Sequence, residues 1–284
     1  MNIIAGPASQ LLAGRVSEEM GGNLLVTEFK KFPDGELYTR ILDGFEDPGI
    51  VTIIQSTVSD SDFVALLQLI DACYEASNIN VVIPYMGYAR QDKRFKSGEP
   101  ISARAMAGAI KADNVYTVNI HEESILDYFD ARAVNLDATP VIGRYIKNME
   151  FENPLIVAPD ISATPLARNA SVSLGIDYDF LEKTRLSGES VTISPKNVDV
   201  KGRDVIIIDD LISTGGTMAE AISLLGEQGA SGVFVACVHP VLANNAVIKL
   251  FKSGVKGIIA TDTIDKGVSV ASVAPVIASA LCHP

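Results

Sequence analysis

Two adjacent carboxylates, followed by hydroxyl and glycine residues, form the stretch of this chain best suited to chemistry. Asp209 and Asp210 directly follow an apolar run at residues 205–208. The hydroxyl and glycine residues of the next turn are Ser213, Thr214, Gly215, Gly216 and Thr217. Glycine lets a backbone approach a ligand closely, and the free amides at a helix start favour an anion. The hydroxyls add donors for phosphate oxygens.

The acid pair must have a different task, because carboxylates repel phosphate. Asp209 and Asp210 suit the hydroxyls of a ribose, or a magnesium ion held through water. The β-branched run at 205–208 predicts a buried parallel strand, and open α/β sheets bind ligands at the carboxyl ends of such strands. We therefore interpret residues 205–217 as a sugar-phosphate pocket. The alternative is a plain strand–turn–helix crossover without a ligand, in which the two acids only cap the helix or face solvent.

A second stretch with chemical potential is a basic loop. Residues 88–96 carry four bases in a chain of net charge −12: Arg90, Lys93, Arg94 and Lys96. Such a charge run is usually a solvated surface. Here the flanking prolines and glycines predict a long loop at a sheet edge, where functional loops concentrate. Because arginine can stack on adenine and donate to polyphosphate, we favour nucleotide contact.

The elements around these loops alternate between strand and helix patterns, which predicts parallel sheets with covered faces. The predicted strands are 2–4, 24–29, 37–41, 50–55, 81–84, 115–120, 155–158, 205–208, 233–238 and 257–260. The predicted helices are 7–20, 62–76, 101–112, 138–149, 164–172, 218–228 and 245–251. His121 and Asp160 are expected at strand ends.

The chain also repeats. A shift of 154 residues lays 51–85 on 205–239 without a gap, with Gln55-Ser56 in place of the acid pair. The first copy keeps the packing pattern and loses the phosphate chemistry. We therefore expect two related domains, 1–140 and 141–284, of which the second holds the sugar phosphate. The last apolar segment is expected to pack back on the first domain.

Composition limits the classes of partner. Thirty-five acids against 23 bases do not attract nucleic acid or anionic membrane, and no apolar run reaches the length of a membrane span. The odd number of cysteines, without CxxC spacing, predicts three buried thiols in a reducing compartment: Cys73, Cys237 and Cys282. We expect a cytoplasmic protein.

Residues 205–217 resemble the ribose-phosphate binding signature of type I phosphoribosyltransferases and of the ribose-phosphate diphosphokinase (PRPP synthase) family. Residues 88–93, Tyr-Ala-Arg-Gln-Asp-Lys, resemble a signature of the second family alone. The resemblance spans nearly the whole chain. It implies an α/β fold of two tandem type I phosphoribosyltransferase-like domains, each a mostly parallel sheet flanked by helices. It also implies transfer of the β,γ-diphosphoryl group of ATP to the 1-hydroxyl of ribose 5-phosphate, giving PRPP and AMP.

The resemblance assigns roles to two loops that would contact ATP. Arg90 and Gln91 would help to hold the nucleotide. A loop near the N-terminus would reach into the ATP site of a neighbouring subunit, through Phe32, Asp34, Gly35 and Glu36. We therefore expect a homodimer or higher homo-oligomer with a shared ATP site. Without the family, this loop is equally a simple turn with Phe32 as a core anchor.

The resemblance also implies a catalytic loop and a magnesium site. Residues 181–189 match the family's mobile loop, so Lys183 and Arg185 would close over the reacting phosphates, and Arg185 would also contact the 5-phosphate. The spacing alone favours a solvated hairpin. His121 and Asp160 match the family's magnesium-associated residues, although a lone histidine is more often a structural partner. Two protein contacts suffice for Mg²⁺.

The loop departs from the family at Ser213, where many members carry an acid. Two alternative functions remain. A phosphoribosyltransferase that consumes PRPP would need only the second half of the chain, and the basic loop argues against it. A catalytically silent regulatory subunit is the other, and the retained Lys183, Arg185 and Asp209 argue against that.

Overall fold

The computed structural model describes residues 1–42, 48–187, 190–194 and 198–283, with backbone alone for 183–187 and 190–194. It divides into two compact units. Unit 1 comprises Met1–Asp137, Thr263–Asp265 and Ser272–Pro284, and unit 2 comprises Ala138–Asp262 and Lys266–Ala271. In the described part of the chain, no helix combines the length and the apolar character needed to cross a membrane.

Unit 1 alternates strands and helices. Its strands are β1 (Asn2–Ala5), β2 (Asn23–Leu25), β3 (Thr27–Lys31), β4 (Leu37–Ile41), β5 (Ile50–Ile54), β6 (Asn78–Ile83), β7 (Asn114–Val118) and β8 (Arg132–Leu136). Its helices are α1 (Gln10–Met20), α2 (Asp60–Ala72), α3 (Ser102–Ala109), a 3-10 helix (Glu123–Tyr128) and, from the end of the chain, α8 (Ala274–Cys282).

Unit 2 follows the same plan. Its strands are β9 (Leu155–Ala158), β10 (Asp177–Phe180), β11 (Glu182–Ser187), β12 (Ser190–Ser194), β13 (Asp204–Leu211), β14 (Gly232–His239), β15 (Gly257–Thr261) and β16 (Ser269–Ala271). Its helices are α4 (Thr139–Lys147), a 3-10 helix (Ile161–Ala163), α5 (Thr164–Leu174), α6 (Gly216–Glu227) and α7 (Ala246–Lys252).

The two units share one topology, as the sequence repeat predicted. Among the described residues, each main sheet has six parallel strands, in the orders β2-β1-β5-β6-β7-β8 and β10-β9-β13-β14-β15-β16. Each unit also inserts an antiparallel hairpin between its second and third sheet strands, β3–β4 in one and β11–β12 in the other. β5 begins at residue 50 and β13 at residue 204, which reproduces the predicted offset.

Each unit has its own core of aliphatic side chains. Strand residues such as Ile53 and Ile83 in unit 1, and Val157 and Ile207 in unit 2, are completely buried. The strands therefore consist of continuous β-branched runs, because helices cover both faces of a parallel sheet. Because these strand residues are completely buried, the strands and their carboxyl ends are held in a fixed register.

Several predicted bounds are wrong for identifiable reasons. The predicted strand 24–29 is two strands, because the exposed Val26 separates the sheet strand β2 from the hairpin. The helix expected at 62–76 begins at Asp60, where Ser59 and Asp62 form a capping box. The strand expected to end at His121 stops at Val118. The strand expected to end at Asp160 stops at Ala158.

The cysteine prediction holds for two residues of three. Cys73 and Cys237 are buried free thiols, and burial raises the pKa of Cys73 to about 12. Cys282 is also a free thiol, but it is exposed. It lies in the last turn of α8, whose buried side is formed by other residues, including Ile277 and Leu281.

Candidate functional site

The acid pair lies at the carboxyl end of a central strand. β13 pairs in parallel with β9 on one side and β14 on the other, and Ile206, Ile207 and Ile208 are completely buried. Asp209 and Asp210 follow them and are half-buried. The strand continues through Leu211, further than the apolar run predicted. The pair therefore lies on an ordered strand, at the carboxyl end of the sheet, where α/β proteins bind ligands.

The glycine turn after the acids leaves a helix start open. Gly215 is the N-cap of α6 and has a positive φ of 72°, which glycine adopts without strain. A Cβ placed on Gly216 would meet no atom within 4 Å, and Thr214 and Thr217 are exposed. As a glycine, Gly215 offers the helix no capping side chain. The helix start therefore has free space beside Gly216, and its first amides are suited to receive an anion.

A second segment, residues 242–249, holds this turn through hydrogen bonds. Leu242 N donates to Ile212 O at 2.9 Å, and Ala243 N donates to Ser213 O at 3.0 Å. Lys249 Nζ, from α7, donates to Thr214 O at 3.3 Å. The sequence pattern predicts a helix at residues 245–251 but does not reveal this support.

The same segment has unusual backbone geometry. Leu242, Asn244 and Asn245 have positive φ angles of 49°, 52° and 61°. Conformations of this kind cost energy in non-glycine residues and persist where the surroundings enforce them. The Asn-Asn pair was a usable signal, because asparagine adopts the left-handed conformation more readily than most residues.

Crowded carboxylates set the electrostatics of the site. Burial, with the nearby carboxylates of Asp210 and Asp160, raises the pKa of Asp209 from its ordinary 3.8 to about 8. Asp160 caps the 3-10 helix Ile161–Ala163, accepting from Ser162 N at 3.0 Å and from Ala163 N at 3.3 Å. A cation or a set of sugar hydroxyls would relieve the repulsion among the three acids.

The sequence predicts two protein contacts for magnesium, His121 and Asp160. Within the described residues, no group of three or more His, Cys, Asp or Glu side chains has the arrangement of a metal site. Asp160 lies in unit 2 near the acid pair, whereas His121 is an exposed residue of unit 1 beyond β7. Their joint role with magnesium stays a prediction.

The expected catalytic loop is an antiparallel hairpin. In the register of β11 with β12, Lys183 pairs with Ile193 and Arg185 pairs with Val191. Spacing alone predicted this hairpin. The side chains of Lys183 and Arg185, and the whole of Gly188, lie outside the described residues, so the catalytic roles of Lys183 and Arg185 stay predictions.

The basic loop expected to bind ATP follows β6 in unit 1. Ser102 Oγ donates to Gln91 Oε1 at 2.5 Å, and Ala103 N donates to Gln91 O at 3.2 Å. Arg90 is exposed. Gln91 is thereby tied to the start of α3, while the guanidinium beside it remains accessible to a ligand.

The other loop expected to contact ATP is the tip of the hairpin β3–β4. Phe32 N donates to Glu36 O at 2.8 Å, Gly35 N donates to Phe32 O at 2.9 Å, and Glu36 N donates to Asp34 Oδ1 at 3.3 Å. Phe32 is 50% exposed and packs edge-on against Tyr38, with ring centroids 6.0 Å apart. The alternative interpretation of Phe32 as a core anchor is therefore wrong.

Comparison with known proteins places this geometry in a family. The family model described as the N-terminal domain of ribose phosphate pyrophosphokinase matches residues 1–113, and a phosphoribosyl transferase domain model matches residues 124–273. The chain is 60% identical over 281 residues to a ribose-phosphate pyrophosphokinase of Methanosarcina acetivorans, covering 99% of both chains. It is 45% identical to ribose-phosphate pyrophosphokinase 2 of Archaeoglobus fulgidus, covering 98% of this chain and 99% of the relative.

A solved structure agrees with these matches. The crystal structure of phosphoribosylpyrophosphate synthetase from Mycobacterium smegmatis superposes with a TM-score of 0.83 at 30% identity, covering 99% of this chain and 97% of that one. The family resemblance and the fold class inferred from the sequence are thus confirmed. The chain belongs to the ribose-phosphate pyrophosphokinase family, whose members are ATP-dependent diphosphotransferases.

Proposed function

We propose that unit 2 binds ribose 5-phosphate and that the chain transfers the β,γ-diphosphoryl group of ATP to its 1-hydroxyl, giving PRPP and AMP. The observation that supports this most is the open start of α6 beside the acid pair at the end of β13. An anion fits the amides of the turn, and hydroxyls fit the acids. A sugar phosphate is the ligand class that satisfies both at once.

The proposed sugar site divides its work between two sets of residues. The 5-phosphate accepts hydrogen bonds from the turn, formed by Ser213, Thr214, Gly215, Gly216 and Thr217. Arg185 adds a charge to this phosphate. Asp209 and Asp210 accept the ribose hydroxyls, which holds the ring with its 1-hydroxyl toward the nucleotide.

Residues of two subunits would hold ATP in this proposal. Arg90 and Gln91 contact the nucleotide from the subunit that holds the sugar. The hairpin tip of a neighbouring subunit contributes Phe32, Asp34, Gly35 and Glu36, which makes the active form a homodimer or higher homo-oligomer. The half-exposed Phe32 ring supports this, because an aromatic face at a loop tip can stack on adenine.

The carboxylates present are suited to magnesium. Oxygen donors are the ligands this ion prefers, and the carboxylates of Asp160 and Asp210 lie close enough to Asp209 to add, after burial, to the rise in its pKa. Asp160 and His121 would hold the ion, with substrate oxygens and water completing its coordination. When bound, Mg²⁺ neutralises polyphosphate charge and orients the phosphates.

The transfer itself requires positioning and charge stabilisation. The 1-oxygen of ribose forms a bond to the β-phosphorus of ATP, the bond from that phosphorus to the α,β-bridging oxygen breaks, and the hydroxyl proton passes to solvent water. AMP departs with the bridging oxygen. Lys183 and Arg185 stabilise the negative charge on the phosphate oxygens and exclude water as their hairpin closes.

One assay separates this function from the two alternatives. Purified protein with magnesium, ATP and ribose 5-phosphate should release AMP and PRPP in equal amounts. Product formed only from PRPP and a nucleobase would show a phosphoribosyltransferase, and no turnover at saturating substrates would show a silent subunit.

We place the reaction in the cytoplasm, because the cysteines are free thiols, as in a reducing compartment.

A further inference from the structure

Unit 1 contains a counterpart of the turn at residues 213–217, which the proposed function assigns to the sugar phosphate. With the offset of 154 residues, the segment 55–62 of unit 1 corresponds to 209–216 of unit 2. Segment 55–62 begins just after β5, segment 209–216 begins in the last residues of β13, and each reaches the first turn of the next helix. A duplicated segment that lost phosphate chemistry is free to acquire another role.

Internal side chains fill this counterpart. Gln55 is completely buried, its Oε1 accepts from Ala8 N at 3.1 Å, and its Nε2 donates to Asp62 O at 3.2 Å. A Cβ on Gly6 would lie 2.0 Å from Gln55 Oε1. Ser59 N donates to Asp62 Oδ2 at 2.8 Å at the start of α2. In unit 1, Gln55 and Asp62 thus fill the space and bind the amides that correspond to the proposed phosphate site of unit 2.

The same segment is bonded to the start of the ATP loop. Tyr85 N donates to Ser56 Oγ at 3.1 Å, and Gly87 N donates to Thr57 Oγ1 at 2.9 Å. The two backbones are in such close contact that a Cβ on Gly87 would lie 2.2 Å from Thr57 O. The loop therefore leaves the sheet along a fixed path.

A further hydrogen bond involves Tyr88, which lies two residues before Arg90. The Tyr88 hydroxyl donates to Asp60 Oδ1, in the first turn of α2. Tyr88 has a positive φ of 64°, which is rare for a bulky residue and requires support from its surroundings. Its side chain is 45% exposed, so burial alone does not fix it.

We infer that Asp60, through the Tyr88 hydroxyl, is a positioning residue for ATP: the former phosphate turn of unit 1 now anchors the loop that carries Arg90 and Gln91. The inference rests on the proposed function, which assigns that loop to ATP. In this role Asp60 acts through the tyrosine rather than by direct contact with the nucleotide. Its carboxylate holds the strained Tyr88 backbone, which sets the direction in which Arg90 leaves the loop.

The test measures Michaelis constants for both substrates in the full-length protein. Tyr88→Phe and Asp60→Ala should each raise the KM for ATP about fivefold, with the KM for ribose 5-phosphate unchanged, because a charge-assisted hydrogen bond is lost. The double variant should be no worse than either single one. Asp60→Asn should retain most of the affinity, because its amide oxygen still accepts from the tyrosine.

Asp62→Ala is the matched control, because Asp62 caps the same helix and makes no bond to Tyr88. It should lower thermal stability and leave the KM for ATP unchanged. A wild-type KM for ATP in Tyr88→Phe, alongside a raised one in Arg90→Ala, would overturn the positioning role alone. An unchanged KM in Arg90→Ala as well would overturn the assignment of the loop to ATP, and the inference with it.

Discussion

Gly215 lies directly against Ala246: a Cβ on Gly215 would come within 3.3 Å of the Ala246 Cβ and within 3.4 Å of its carbonyl oxygen. The turn at residues 213–217 is thus held between its own strand and the start of α7. The shape of the turn therefore depends on having glycine, which has no side chain, at position 215.

Gly215→Ala should therefore damage sugar binding. The substitution combines a positive φ with a crowded Cβ, and we expect the KM for ribose 5-phosphate to rise at least about tenfold. The KM for ATP should change little. Gly226→Ala is the matched control, because it lies in the same helix with open space around its Cβ. It should leave both constants alone and stabilise the fold by about 0.5–1 kcal/mol. Equal effects of the two substitutions would contradict this account.

Lys249 should contribute to the same substrate from outside the turn. Its ammonium group bonds to the carbonyl of Thr214 and adds positive charge beside the phosphate position. Because this lysine is exposed, we expect a modest rise of about threefold in the KM for ribose 5-phosphate in Lys249→Ala. Lys252→Ala, on the same helix, should have no effect. Higher salt should reduce the difference between the two variants.

The raised pKa of Asp209 predicts a pH effect on stability. Between the ordinary value of 3.8 and the folded value of about 8, the folded protein binds a proton at this site that the unfolded chain has already released. This stabilisation is complete below pH 3.8 and is lost as pH rises through about 8. In metal-free, ligand-free protein, the contribution of Asp209 to the melting temperature should fall across this range.

Asp209→Asn removes this titration, so its melting temperature should depend less on pH than that of the wild type. The exposed Glu220→Gln serves as a control for an acid removed from the same unit. Parallel pH profiles for the wild type and Asp209→Asn would show that Asp209 titrates normally.

Lys183→Ala tests the role of the hairpin. A charge that acts mainly in the transition state should affect turnover more than binding, so we expect kcat to fall by about two orders of magnitude or more. The KM for ribose 5-phosphate should change little. Thr184→Ala, in the same strand, is the uncharged control. Near-normal turnover in Lys183→Ala would remove this residue from the mechanism.

The sequence predicted the parts of the site that depend on local pattern. The β-branched run before Asp209 and the glycine turn after Asp210 specify a strand and a helix start, and both are present. The offset between the units was also readable, because equivalent strands need the same apolar spacing. The family and the enzyme class followed from these motifs and from the basic loop, and the comparisons confirm them.

The supports of the site were not predictable in the same way. The contact of Ala246 with Gly215 joins residues 31 positions apart, and the Tyr88–Asp60 bond joins residues 28 positions apart. Such pairs depend on tertiary packing, which periodicity does not encode. The end of β7 at Val118, before His121, likewise follows from its pairing with β8 rather than from its own composition.

A crystal structure with ribose 5-phosphate tests the central claim most directly. We predict that the 5-phosphate lies on the first amides of α6, within hydrogen-bond distance of the turn at 213–217, with the ribose hydroxyls toward Asp209 and Asp210. An empty turn, with the sugar phosphate bound in another cleft, would contradict the account.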